Sequence, residues 1–139
     1  MQRTEFGPNK SDCYVYQVNV ASLAGGANTT STINIRADAN FVLHKLAMYA
    51  DIAAAVQTDS SRVLPAVTLQ ITDTGPGRQL FSDVVPLPSI FGAGGLPFIL
   101  PGPRLFAANS TISFAFTNIS AATTYRIYLS LIGVQIYIR

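Results

Sequence analysis

The chain alternates apolar and polar residues over most of its length, and helical spacing is scarce. In "CYVYQVNVA", Tyr14, Tyr16, Val18 and Val20 share one face, while Val15, Gln17 and Asn19 share the other. "STINIRA" repeats the pattern with Ile33, Ile35 and Ala37. "AVTLQITD" sets Val67, Leu69 and Ile71 against Thr68, Gln70 and Thr72, and "TISFAFTN" offers Ile112, Phe114 and Phe116. The last run, "TYRIYLSLIGVQIYIR", alternates Tyr125, Ile127, Leu129 and Leu131 before Gly133, a position suited to a bulge. Turn residues punctuate these runs at Gly25 to Asn28, Asp38 to Asn40, Asp59 to Ser61, Gly75 to Gly77 and Asn118 to Ala122.

Two segments fit less simply. "FVLHKLAMYADIAAAV", residues 41–56, carries helix-tolerant alanines, yet Phe41, Leu43, Lys45, Ala47 and Tyr49 permit a strand. A strand through Ala50 followed by an irregular or short helical connection is expected. "PLPSIFGAGGLPFILPGPR", from Pro86 to Arg104, contains five of the eight prolines and four of the ten glycines. It has no charge before Arg104 and is read as a stiff apolar loop. Short strands with regular turns predict an all-β, single-domain, jelly-roll-like β-sandwich carrying this long Pro/Gly-rich loop. Residues 1–12 are expected to form a flexible N-terminal arm, and residues 13–139 the sandwich.

A length of 139 residues suits one domain that buries its core without disulfides, and Cys13 is the only cysteine. Composition changes the picture in one respect: only 12% of residues are charged, about half the usual share, while 49% are hydrophobic. Such a surface is suited to being covered by a partner or by further copies of the chain. The net charge of +2 comes from cations scattered singly, so direct nucleic-acid binding is not expected. No apolar run is long enough for a spanning helix, and the opening residues lack the apolar stretch of a signal peptide. Neither a membrane nor a secretory destination is expected.

Candidate catalytic chemistry is sparse. His44 is the single histidine and lies in an alternating strand, and no Gly-x-Ser-x-Gly elbow accompanies it. A Cys13–His44 pair needs two strands to bring it together. Gly92 to Gly95 lacks the lysine and following helix of a phosphate loop. Asp73-Thr74-Gly75 matches the tripeptide of aspartic proteases, which in a chain this short requires a homodimer. Thr72 and Pro76 depart from that pattern, and "DTGPG" reads equally as a hairpin turn. No enzyme activity, cofactor or metal site is expected. The Asn-x-Ser/Thr triplets at Asn28, Asn109 and Asn118 are read as turn and strand-edge residues.

From Gly94 to Tyr137, "GGLPFILPGPRLFAANSTISFAFTNISAATTYRIYLSLIGVQIY" resembles the jelly-roll cement and decoration proteins of tailed double-stranded DNA bacteriophages. The resemblance spans about residues 80–139: a proline-rich apolar loop leads into a final pair of strands. It implies a virion protein made in the host cytoplasm and bound as a dimer to the capsid exterior. There it would bridge major capsid protein subunits and stabilise the shell against internal DNA pressure. A receptor-binding tail or fibre module is the alternative within the virion. Phe6, Ile90, Phe91, Leu96 and Phe98 are the expected interface residues, although the aromatic ones would serve equally to plug the sandwich's own open end.

Overall fold

The computed structural model describes residues 11–53, 62–93 and 96–138. Phe6 and all of the expected arm except Ser11 and Asp12 lie outside these residues. The described strands are β1 (Ser11–Leu23), β2 (Asn28–Asn34), β3 (Ala39–Ile52), β4 (Val67–Asp73), β5 (Arg78–Gln79), β6 (Val85–Pro86), β7 (Phe98–Phe106), β8 (Thr111–Asn118) and β9 (Tyr125–Tyr137). One short helix, α1, covers Leu87–Ile90.

The strands form two antiparallel sheets. Sheet A has the order β1-β9-β3-β7; sheet B has β2-β8-β4, with β5 and β6 both pairing with β4. The chain changes sheet at each connection except those from β4 through β6. This is the strand order of a jelly roll, in agreement with the alternation in the sequence. The predicted inward sets meet between the sheets, where Phe41, Phe106, Phe114, Phe116, Leu69, Ile71, Ile127, Leu129 and Leu131 are fully buried. Tyr14, Tyr16 and Phe41 stack edge-to-face, with centroids 4.9 and 4.8 Å apart.

β3 contains an unexpected switch. Leu43 pairs with Gly133 and Lys45 with Ile132, so His44 is an extra residue in β3. Such a bulge reverses the pleat. Phe41 and Leu43 therefore join the core, whereas beyond the bulge Leu46 and Ala50 do, and Lys45 is exposed. The strand also continues two residues past Ala50, to Ile52. At Gly133 a Cβ would lie 2.0 Å from the Val42 carbonyl oxygen, so only glycine allows this approach.

The segment from Pro86 to Arg104 carries the chain from sheet B to sheet A. α1 buries Leu87, and Phe91 behind it is only 3% exposed. Gly92 then pairs parallel with β3: it accepts from Met48 N–H at 2.8 Å and donates to the Leu46 carbonyl at 3.3 Å. A Cβ on Gly92 would fall 2.1 Å from the Leu96 carbonyl oxygen. The chain returns as β7, the edge of sheet A. There Leu100 to Pro103 bulge out opposite His44, between the Lys45–Ile99 and Leu43–Arg104 pairs. Prolines and a bulge on an edge strand deny a neighbour a regular ladder.

Two polar side chains repair breaks in the backbone. Between β5 and β6 the strand beside β4 is interrupted, and Gln70 fills the gap. Its Nε2 donates to the Phe81 carbonyl at 3.0 Å, and its Oε1 accepts from the N–H of Ile71 and Phe81 at 3.1 and 3.3 Å. Asn118, 1% exposed, ties the β8–β9 corner. Its Nδ2 donates to the Leu23 and Thr123 carbonyls, each at 2.8 Å, and its Oδ1 accepts from Ser120 N–H at 2.9 Å.

Candidate protein-binding surface

An antiparallel sandwich normally turns one side of each sheet to the core and a polar side to water. Sheet B follows that rule. Its outer rows are Asn28–Thr117–Thr68, Thr30–Ala115–Gln70 and Thr32–Ser113–Thr72. Sheet A departs from it. Val15, Ile132, Lys45 and Ile99 stand side by side in one outer row, and Cys13, Val134, Val42 and Leu105 in the next. Seven of these eight residues are uncharged and largely apolar, and together they cross all four strands. Val15, Ile99 and Leu105 are 45%, 65% and 57% exposed.

Toward its other end the outer face of sheet A is mostly polar. Gln17, Ser130, Asn19, Tyr128 and Tyr49 lead to the paired Asp51 and Arg126. The Arg126 guanidinium makes two 2.8 Å bonds to the fully buried Asp51 carboxylate and one of 3.1 Å to the Ala53 carbonyl. The hydrogen bonds to Asp51 raise the Arg126 pKa further. Tyr49 Oη also donates to Asp51, at 3.2 Å. This pair anchors the far end of the face, so the apolar rows occupy a defined end of it.

The expected interface residues separate. Phe91 belongs to the core, as the plugging reading of the loop had it. Ile90 and Phe98 come together on an apolar cavity of about 200 Å³, which Leu43, Leu46 and Leu100 also line. Leu96 is 83% exposed and lies two residues before β7, whose Ile99 belongs to the apolar rows. The rows themselves were missed. Alternation places Val15 on the face away from the core but does not show that Val42, Ile132 and Val134 join it there. Only the register between strands brings these distant residues into one surface.

The candidate chemical groups lie apart. β9 runs between the strands that carry Cys13 and His44, which separates those strands by about 10 Å. Asp73 ends β4 in a hairpin opposite Arg78; it is buried, and its Oδ1 has no hydrogen-bond partner among the described residues. The "DTGPG" segment is thus a turn. Among the described residues, no three His, Cys, Asp or Glu side chains cluster as a metal site. No helix among them is long and apolar enough to cross a membrane.

No family model and no curated protein matches the chain. Two solved structures are similar to it in shape. One is the core of Drosophila NLP, described for pentamer formation and histone binding: 12% identity, 87% of this chain, 96% of that one, TM-score 0.37. The other comes from the virus-like particle of the extra small virus of the giant freshwater prawn Macrobrachium rosenbergii. It has 14% identity, covers 97% of this chain and 83% of that one, and has a TM-score of 0.39.

Proposed function

We propose that this chain is a structural virion protein that binds the exterior of an icosahedral bacteriophage capsid and bridges major capsid protein subunits. The observation that carries this is the apolar half of the outer face of sheet A, laid across all four strands. The likeness of residues 80–139 to phage cement proteins supplies the partner. A flat, nearly uncharged surface suits docking on another protein, because few charges have to be stripped of water. A bridge between shell subunits resists internal pressure because a departing subunit must also break the bridge. Repetition over the shell lets weak contacts act together.

The test is made on purified particles. Mass spectrometry is expected to find the chain at a copy number comparable with that of the major capsid protein. Particles lacking it are expected to release DNA at a lower temperature. A copy number that is a small fraction of the shell's would favour a tail or fibre module. Absence from the particle, or unchanged DNA release without the chain, would overturn the proposal.

A further inference from the structure

Along one side of the sandwich, β7 is the edge of sheet A and the interrupted run from β5 to β6 is the edge of sheet B. Between them lies the apolar cavity of about 200 Å³, with the buried Leu43 and Leu46 as its floor. Leu80 and Phe81 wall it on the sheet B side, and Leu100, Pro101 and Gly102 on the β7 side. Both walls are held in place. Leu80 N–H donates to the Ile71 carbonyl at 2.9 Å, and Phe81 is tied at both backbone groups by Gln70. Pro101 and Pro103 restrict the backbone of the bulge. A pocket formed in advance needs little ordering when it is filled.

The one charged residue lining this cavity is Arg104. It pairs with Leu43 across the ladder and stands two residues before Phe106, both fully buried. Its side chain therefore leaves β7 on the core side of the sheet. Among the described residues it makes no hydrogen bond, ion pair or ring contact. Asp83, the acidic residue nearest to Phe81 in sequence, accepts instead from Val84 N–H at 2.8 Å. An unpaired guanidinium beside apolar walls is matched by a carboxylate, which takes two parallel N–H bonds, joined to a hydrocarbon body.

We propose that this cavity binds a small amphipathic monocarboxylate, with its hydrocarbon part against Leu43, Leu46 and Phe81 and its carboxylate on Arg104. An apolar cavity of about 150 Å³ accepts a benzene ring, so this one has room for a chain or ring of about six to eight carbons. The ligand touches both sheets at once, so binding also clamps the open side of the sandwich. The site does not rest on the virion reading, and its failure would leave that reading standing.

The test titrates the purified chain with sodium octanoate, and with octan-1-ol as the uncharged counterpart, followed by backbone amide NMR. Octanoate is expected to shift the amides of Leu46, Phe81, Leu100 and Arg104, to saturate as one site, and to bind at least tenfold more tightly than octanol. Arg104→Leu keeps the wall apolar and should weaken octanoate at least tenfold while leaving octanol unchanged. Arg104→Lys should retain part of the preference. Leu100→Trp fills the cavity from the edge strand and should abolish binding of both. Saturating octanoate should raise the melting temperature of the parent but not of Leu100→Trp. The amide spectra show whether each variant is folded; if Leu100→Trp is not, the two Arg104 variants decide. The proposal is overturned by no octanoate-dependent shift at millimolar concentration, by shifts confined to residues away from the cavity, or by equal octanoate affinity in the parent and Arg104→Leu.

Discussion

The outer faces of the two sheets share a backbone plan and differ in what they offer to water. Sheet B presents threonine, serine and asparagine, residues that favour strands or hydrogen-bond readily and remain hydrated. Sheet A presents valine, isoleucine and leucine at one end and a polar set anchored by Asp51–Arg126 at the other. With strands about 4.8 Å apart, two rows crossing four strands cover about 250 Å². Burying that area yields about 6 kcal/mol gross. Association itself costs about 4–15 kcal/mol, so one patch binds weakly by itself, whereas joined patches on a repetitive shell reinforce one another. The contrast shows that alternation identifies the core side of a strand without showing whether the other side is solvated.

The largest expected effect comes from breaking the anchor of the polar end. Arg126→Leu removes the two-pronged guanidinium contact from the buried Asp51 carboxylate and should lower the urea unfolding midpoint more than any other substitution below. Asp51→Leu combined with Arg126→Leu should recover part of that loss, because the buried carboxylate is removed together with its guanidinium partner. Sheet B is tested at Gln70. Gln70→Leu orphans the N–H of Ile71 and Phe81 and should cost about 1–3 kcal/mol.

Charging each face in turn separates the two sheets. Val15→Lys with Leu105→Lys should leave unfolding within about 0.5 kcal/mol of the parent, since both side chains are exposed. The same pair should weaken binding to particles at least tenfold, or about 1.4 kcal/mol. Thr30→Lys with Thr32→Lys, on sheet B, should change neither property. Equal losses from both pairs would remove the distinction between the faces. The smallest effect is at Asp38, whose carboxyl pKa is lowered by its hydrogen bond to the Arg36 guanidinium. A lowered folded-state pKa stabilises above the unfolded value and is lost as pH falls through the folded one. Wild type and Asp38→Asn should therefore differ slightly at neutral pH and converge in acid; both partners are exposed, so the gap is small.

Much of the fold was legible because burial on one side leaves a period of two. Tyr14 to Val20, Val67 to Ile71, Ile112 to Phe116 and Tyr125 to Leu131 all place their apolar members as alternation predicts. The pattern failed where geometry departs from that period. Phe41 to Tyr49 looks like one unbroken alternation, yet the extra residue at His44 turns Lys45 outward and Leu46 inward. The Pro86–Arg104 loop looked uniform, yet Phe91 fills the core while Leu96 stands in solvent. Gln70 and Asn118 read as ordinary strand and turn residues. Their work depends on Phe81 and Leu23, which only the tertiary fold brings close. The apolar outer face has the same origin, since Cys13, Val42, Leu105 and Val134 are neighbours only through strand register.

The place of β9 has a consequence for the order in which the molecule can be made. As the last strand, it lies between β1 and β3 and provides the ladder for both. A ribosome therefore releases β1, β3 and β7 before the strand that unites the first two exists. Sheet B needs only β8 to join β2 to β4, so its pairing can be complete while sheet A still waits. During that interval β1 lacks the ladder that β9 provides. Pairings this distant in sequence make for slow folding, and a nascent chain held in that state is open to the wrong neighbour. Translation that stops short of Tyr125 leaves β1 without the strand that it pairs with among the described residues.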